Sequence, residues 1–274
     1  MTGPAAGGDA AGGGLLLEAS GISHSFVNAG GRFTLVVERF LLAARERVAV
    51  VGPSGCGKST LLGLLGLALP PDPPSHGQAS HGQSSHGQSS HGQAAPREPG
   101  RLCLDGQDAL ALWRRRAGDR LAELRGEAIG FVPQTGGLLP FLTLRENILL
   151  CQRITGRLAP RFVADLAACL GIAAQLESLP AQVAVGQRQR AAVARALAHR
   201  PRLLLADEPT ASVHPTQADQ ILDLLSYVAE RTGAGLVIAT HDAARATAAG
   251  FRLAPCRPDA TEPLTRLAYP GEAA

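Results

Sequence analysis

A nine-residue stretch, GPSGCGKST at positions 52–60, constrains this chain more than any other feature. Before it stands RVAVV, a short apolar β-branched run that reads as a buried strand, and from Lys58 onward KSTLLGLLGLAL has the apolar spacing of a helix. A glycine-rich turn between strand and helix curls successive backbone N–H groups around an anion, and the helix start adds its positive end. The spacing G-x-x-x-x-G-K-[ST], met at Gly52, Gly57, Lys58 and Ser59, places an ammonium on phosphate oxygens and a hydroxyl on magnesium. Pro53, Ser54, Gly55, Cys56 and Thr60 complete the candidate phosphate-binding loop. Lys58 is the only lysine, every other basic side chain besides histidine being arginine, so this position calls for a compact ammonium in a crowded anion site.

With 274 residues, 45% of them hydrophobic, the chain can bury one sizeable core. A net charge of +3 is too small and too scattered for a nucleic-acid surface, so no nucleic-acid partner is expected. Five cysteines, Cys56, Cys103, Cys151, Cys169 and Cys256, show no paired spacing and read as reduced, mostly buried thiols of a cytoplasm. Residues 1–14, rich in Gly and Ala, read as a flexible tail without the features of a signal peptide. No apolar run reaches the roughly 18 residues of a spanning helix.

Between residues 70 and 99 the composition collapses into Pro, Ser, Gly, Gln and His, with HGQ recurring at His76, His81, His86 and His91. A core cannot be built from such a segment, which reads as a repeat-expanded disordered insertion, with zinc or nickel binding the alternative. GRLCLDG and AIGFVPQ read as strands, residues 158–178 and 187–199 as helices, and RLLLAD and GLVIATHD as buried strands split by a helix at 215–231. That alternation belongs to a parallel α/β sheet. The tail at 256–274 shows no usable pattern and is expected to be irregular.

RLLLADEP ends an apolar strand in two carboxylates. Asp207 is placed to hold the shell of a magnesium ion, and Glu208 to polarise a water. Taken in order, GPSGCGKST, FVPQ, GQRQRAAVARALAHRP, LLLADEPT and IATHD resemble the ATP-binding cassette family over most of residues 15–253, and IGFVPQTGGLLPFLTLRENI is similar to its lipoprotein-release and macrolide-export branch. The resemblance implies an α/β P-loop domain over 15–255, with an antiparallel β lobe near the amino end and a helical subdomain at about 140–195. It also implies ATP and Mg²⁺ as ligands, with Gln134 touching the metal or water, His241 contacting the γ-phosphate and Phe26 stacking on adenine. Partners would be a separate transmembrane permease and a second cassette, with this chain peripheral on the cytoplasmic face of the membrane.

In that family the signature turn of one cassette closes on the ATP of the other. Here the usual Leu-Ser-Gly-Gly-Gln becomes Val183, Ala184, Val185, Gly186 and Gln187. A lost hydrogen bond to a charged phosphate costs about 1.5–3 kcal/mol. Val185 adds a branched side chain, and strain if the turn demands positive φ. Gly186 and the helix start remain, so the expectation is a weakened clamp. His214 stands where the next trans element usually carries aspartate. Groups acting on the chain's own ATP are thus present, while those lent across an interface are degraded. The pattern favours a heterodimer over a homodimer, and an ATPase over a nucleotide-dependent scaffold or regulator that scarcely hydrolyses.

Overall fold

The computed structural model describes residues 14–28, 31–73, 100–211 and 215–271. The histidine repeat and His214 lie outside them. β1 (Leu15–Asn28) and β2 (Gly31–Ala43) form a long antiparallel hairpin, and β3 (Arg47–Val51) runs into α1 (Lys58–Leu65). There follow β4 (Arg101–Leu104), β5 (Gln107–Asp108), α2 (Ala109–Arg114), α3 (Gly118–Ala128) and β6 (Ile129–Val132). Next come α4 (Leu144–Thr155), α5 (Pro160–Cys169), α6 (Val185–Leu197), β7 (Leu203–Asp207), α7 (Pro215–Thr232), β8 (Gly235–Thr240), α8 (Ala243–Ala248), β9 (Arg252–Pro258) and β10 (Leu264–Tyr269).

One ten-stranded sheet has the order β5-β4-β1-β2-β10-β9-β3-β8-β7-β6. Strands β9, β3, β8, β7 and β6 are mutually parallel, while β1, β2, β4 and β5 make the antiparallel lobe. Side chains of a strand alternate between faces, so each apolar strand here feeds two cores. Val48, Val50, Leu203, Leu205, Val237 and Ala239 pack with Leu61, Leu62, Leu64 and Leu65 of α1 and with the antiparallel lobe. Their neighbours Ala49, Val51, Leu204, Ala206, Leu236 and Ile238 face the opposite core, shared with α4, α5, α6 and α7. Loops at the carboxyl ends of β3, β7 and β8 therefore converge on one edge, where an α/β sheet collects its ligand.

Two expectations are corrected. The predicted helix over 158–178 stops at Cys169, because Gly171 takes a left-handed φ of 63° and Ile172 N–H turns back to the Ala167 carbonyl; short 3₁₀ turns follow. The tail at 256–274 is not irregular. β9 extends to Pro258, and β10 pairs parallel with β2 and antiparallel with β9. LTRLAY buries Thr265, Leu267 and Tyr269 and exposes Arg266 and Ala268, a period of two that was legible but short. The Tyr269 hydroxyl donates to buried Glu46 at 2.5 Å, and burial together with that carboxylate pushes the phenol's pKa up.

Candidate functional site

The phosphate-loop geometry depends on two glycines. Gly55 and Gly57 have φ of 80° and 96°, a region that side chains with a Cβ rarely adopt, and a Cβ on Gly57 would press on the Phe33 ring at 3.3 Å. Gly52 is needed for close approach: a Cβ there would lie 2.8 Å from Cys56 Sγ and 3.1 Å from Cys256 Cβ. Lys58, 6% exposed, donates from Nζ to the carbonyls of Gly52 at 3.0 Å and Pro53 at 3.1 Å. The ammonium is thus held under the loop by backbone oxygens.

Across the pocket β7 ends in Asp207 and Glu208. Glu208 has φ 43°, a strained conformation for a side chain with a Cβ, and its N–H continues the sheet by donating to Ala239 O at 3.0 Å. The turn leaves its carboxylate bridging two groups: Oε1 lies 3.4 Å from Lys58 Nζ, and Oε2 lies 3.0 Å from His241 Nδ1. Asp207 Oδ1 is buried with no hydrogen-bond partner, and Ser59 stands close enough to the carboxyl group to favour its charged form. Burial is the main cause that pushes its pKa up, Ser59 opposes it, and neighbouring Glu208 adds to the rise. A hydroxyl and an orphaned carboxylate oxygen form an all-oxygen donor pair of the kind a hard cation such as magnesium takes, its other positions going to water and phosphate.

Lys58, Ser59, Glu208 and His241 share one cavity of about 440 Å³, lined also by Phe26, Ser54, Gly55, Gly57, Thr60, Gln134 and Ala211; Gly52, Pro53 and Asp207 are not among its lining residues. Gln134 and His241 are solvent-exposed at strand ends, and Phe26 sits 5.2 Å from Phe33, ring centre to ring centre, at the open side. Cys56 does not line the cavity; it is buried behind the loop. Gly186 lies away from this cavity and lines a separate hollow of about 240 Å³ with Arg190 and the end of α5. Val185, 48% exposed, is the first residue of α6 and not a positive-φ position, so the anticipated backbone strain is absent. Gln187 turns back so that Oε1 accepts from Ala184 N–H at 3.1 Å.

Several residues that position the site carry no motif. Asn147, fully buried, donates to the carbonyls of Leu139, Leu142 and Thr143 and accepts from Leu139 N–H, which fixes the segment after Gln134. Arg195 of α6 binds the carbonyls of Gly136 and Gly137, and Gln189 donates to Pro209 O at 3.1 Å beside the acidic turn. The signature helix is therefore wired to both. The thiols differ from expectation: Cys56 and Cys256 are buried, Cys103 and Cys151 half-buried and Cys169 exposed.

Residues 39–211 match the profile of the family described as ABC transporter. A lipoprotein-releasing system ATP-binding protein LolD of Anaeromyxobacter dehalogenans is 37% identical over 82% of this chain and 84% of its own. The protein of the same name from Idiomarina loihiensis is 34% identical over 83% and 88%. Among solved structures, the dimeric post-hydrolysis state of the ATP-binding cassette MJ0796, bound to ADP and Pi, superposes with a TM-score of 0.68 at 28% identity, covering 88% of this chain and 94% of that one. A strand–loop–helix phosphate cradle, an acidic strand end facing its lysine, and sequence likeness over most of the length lead to one conclusion: the chain belongs to the ABC transporter family, as an ATP-binding subunit.

Proposed function

We propose that this subunit hydrolyses ATP in the cavity behind GPSGCGKST to drive a separate membrane permease of the lipoprotein-release kind. The observation that carries the reading is the Lys58–Glu208–His241 cluster, with 3.4 and 3.0 Å separations on one cavity wall. Lys58 and the loop N–H groups hold the phosphates and offset charge that develops on them. Ser59, Asp207 and Gln134 would hold magnesium, which supplies charge neutralisation at the phosphate oxygens. Glu208 orients the attacking water and accepts its proton, while His241, hydrogen-bonded to Glu208, keeps that carboxylate aimed into the cavity. When ATP enters, Lys58 exchanges its carbonyl and carboxylate partners for phosphate oxygens. Phe26 offers its ring to the base.

Glu208→Gln keeps Lys58, Ser59 and Asp207 but removes the proton acceptor. Phosphate release should fall at least about 100-fold, on the order of the general-base contribution. ATP affinity, read with a fluorescent analogue, should stay within a few-fold. Turnover at the unmodified rate would remove Glu208 from the mechanism.

The second half of the proposal concerns assembly. Among the described residues no helix is long and apolar enough to cross a membrane, and the chain would work at the cytoplasmic face beside its permease. A second cassette would complete its site. Ala184 and Val185 replace the hydroxyl and the glycine that the family lends across such an interface. This favours a heterodimer, with the intact signature supplied by the partner and the slower site closed by this chain. A regulator that binds ATP and scarcely turns it over remains the second reading, favoured by the same two residues.

A further inference from the structure

We propose that Cys56 and Cys256 are an oxidation site: on exposure to a peroxide they form a reversible disulfide that ties the phosphate loop to β9 and shuts it to nucleotide. The two thiols are far apart in sequence, yet both are only 4% exposed and they meet at Gly52, where an added Cβ would touch Cys56 Sγ on one side and Cys256 Cβ on the other. β9 runs parallel to β3, with Pro255 opposite Val51, so Cys256 stands directly behind the start of the loop. Cys56 lies between the two left-handed glycines, Gly55 and Gly57, in the loop between the end of β3 at Val51 and the start of α1 at Lys58. Chemistry and packing agree. The neighbouring Cys256 thiol is the largest cause that lowers the Cys56 pKa, with Lys58 adding to it, whereas burial pushes Cys103 and Cys151 up. A thiolate beside a protonated thiol supplies both the nucleophile and the resolving partner.

The Cys56 thiolate attacks one oxygen of hydrogen peroxide, the O–O bond breaks, and hydroxide leaves and takes up a proton; the sulfur is now a sulfenic acid. Cys256 sulfur then attacks it, the S–S bond forms as the S–O bond breaks, and the Cys256 proton departs in water. Two thiols and one peroxide yield a disulfide and two waters. A disulfide brings its Cβ atoms to roughly 3.5–4.5 Å. That draws the loop toward β9 and displaces the N–H groups, together with Lys58, from the path they take around phosphate. The proposal rests on the reading of this cavity as the ATP site.

The reduced full chain would be treated with hydrogen peroxide, with or without Mg-ATP, blocked with iodoacetamide and mapped by non-reducing peptide mass spectrometry. A fluorescent ATP analogue reads binding in parallel. The expected result is a Cys56–Cys256 linked peptide, at least tenfold weaker nucleotide binding, reversal by dithiothreitol, and protection by prior Mg-ATP. Cys256→Ala should bind ATP within twofold of wild type when reduced and lose the reversible inhibition; Cys256→Ser serves if that variant folds poorly. Oxidation of exposed Cys169 without any 56–256 link overturns the proposal, as does a link that leaves binding within twofold. A reduced wild-type chain that binds no ATP would instead sink the ATP-site reading, since the link is read by mass alone.

Discussion

Asp207 shows how a functional group works against the fold that holds it. Its Oδ1 is buried without a partner, and burial opposes its charge. An ionised carboxylate in that position destabilises the ligand-free protein. Asp207→Asn should therefore raise the melting temperature of the apo chain while Mg-dependent hydrolysis falls to background. Calorimetry of both forms, without and with Mg-ATP, checks this. An unchanged or lower apo melting temperature would mean that the orphaned oxygen carries no penalty. Glu208 at φ 43° belongs to the same class, since a strained left-handed residue, on the order of 1–3 kcal/mol, persists because the sheet bond to Ala239 and its contacts with Lys58 and His241 over-determine it.

At the level of elements, α6 begins where the family's trans contact is made, and it begins poorly. Ala184 sits at the N-cap with no side chain able to accept from the helix N–H groups; only the return bond from Gln187 is in place. Restoring Ala184→Ser with Val185→Gly supplies a hydroxyl that caps the helix in the free chain and meets phosphate in the closed dimer. In the assembled transporter, single-turnover hydrolysis should rise roughly ten- to a hundredfold at the site that this chain closes. If the partner is a different cassette, Lys58→Ala leaves that gain intact; in a homodimer it erases it. No gain in any combination would end the weakened-clamp reading. β10 is tied in by its pairing with β2 and β9 and, through a side chain, by the buried Tyr269–Glu46 hydrogen bond. Tyr269→Phe leaves the Glu46 Oε1 atom, now without its donor, inside the protein, and should lower unfolding stability by about 1–3 kcal/mol in urea titration, with nucleotide binding unaltered.

On the scale of the molecule, the antiparallel lobe closes over the phosphate-loop core and carries the roots of the histidine-rich insertion. Asp72 is pinned to β1, accepting from Ser23 Oγ, Ser25 N–H and Ser25 Oγ at 3.1, 3.1 and 2.8 Å. At the return, a Cβ on Gly100 would lie 2.7 Å from Gly21 O, so the chain re-enters against the same strand. Both ends are held by the lobe itself. Deleting residues 75–95 should then leave the melting temperature within a few degrees and ATP turnover within about twofold of wild type, because loop length contributes only weakly to stability. A large loss of turnover, or one restored by zinc or nickel, would give the histidines a role.

What the sequence determined by itself is whatever is local. GPSGCGKST between a β-branched run and a leucine-rich run specifies strand, anion cradle and helix within a single segment, and RLLLADEP specifies a buried strand ending in carboxylates. The helix break at Gly171 and the alternation of LTRLAY were local too, but too brief to outweigh their surroundings. Only the tertiary structure decided which distant groups share a wall. Lys58, Glu208 and His241 meet because β3, β7 and β8 lie side by side in an order different from their order along the chain. Cys256 reaches Cys56 for the same reason, by way of a strand that pairs parallel with β3. Contacts of that kind arise from sheet order and from two cores packed on opposite faces of one sheet, and no window of neighbouring residues encodes them.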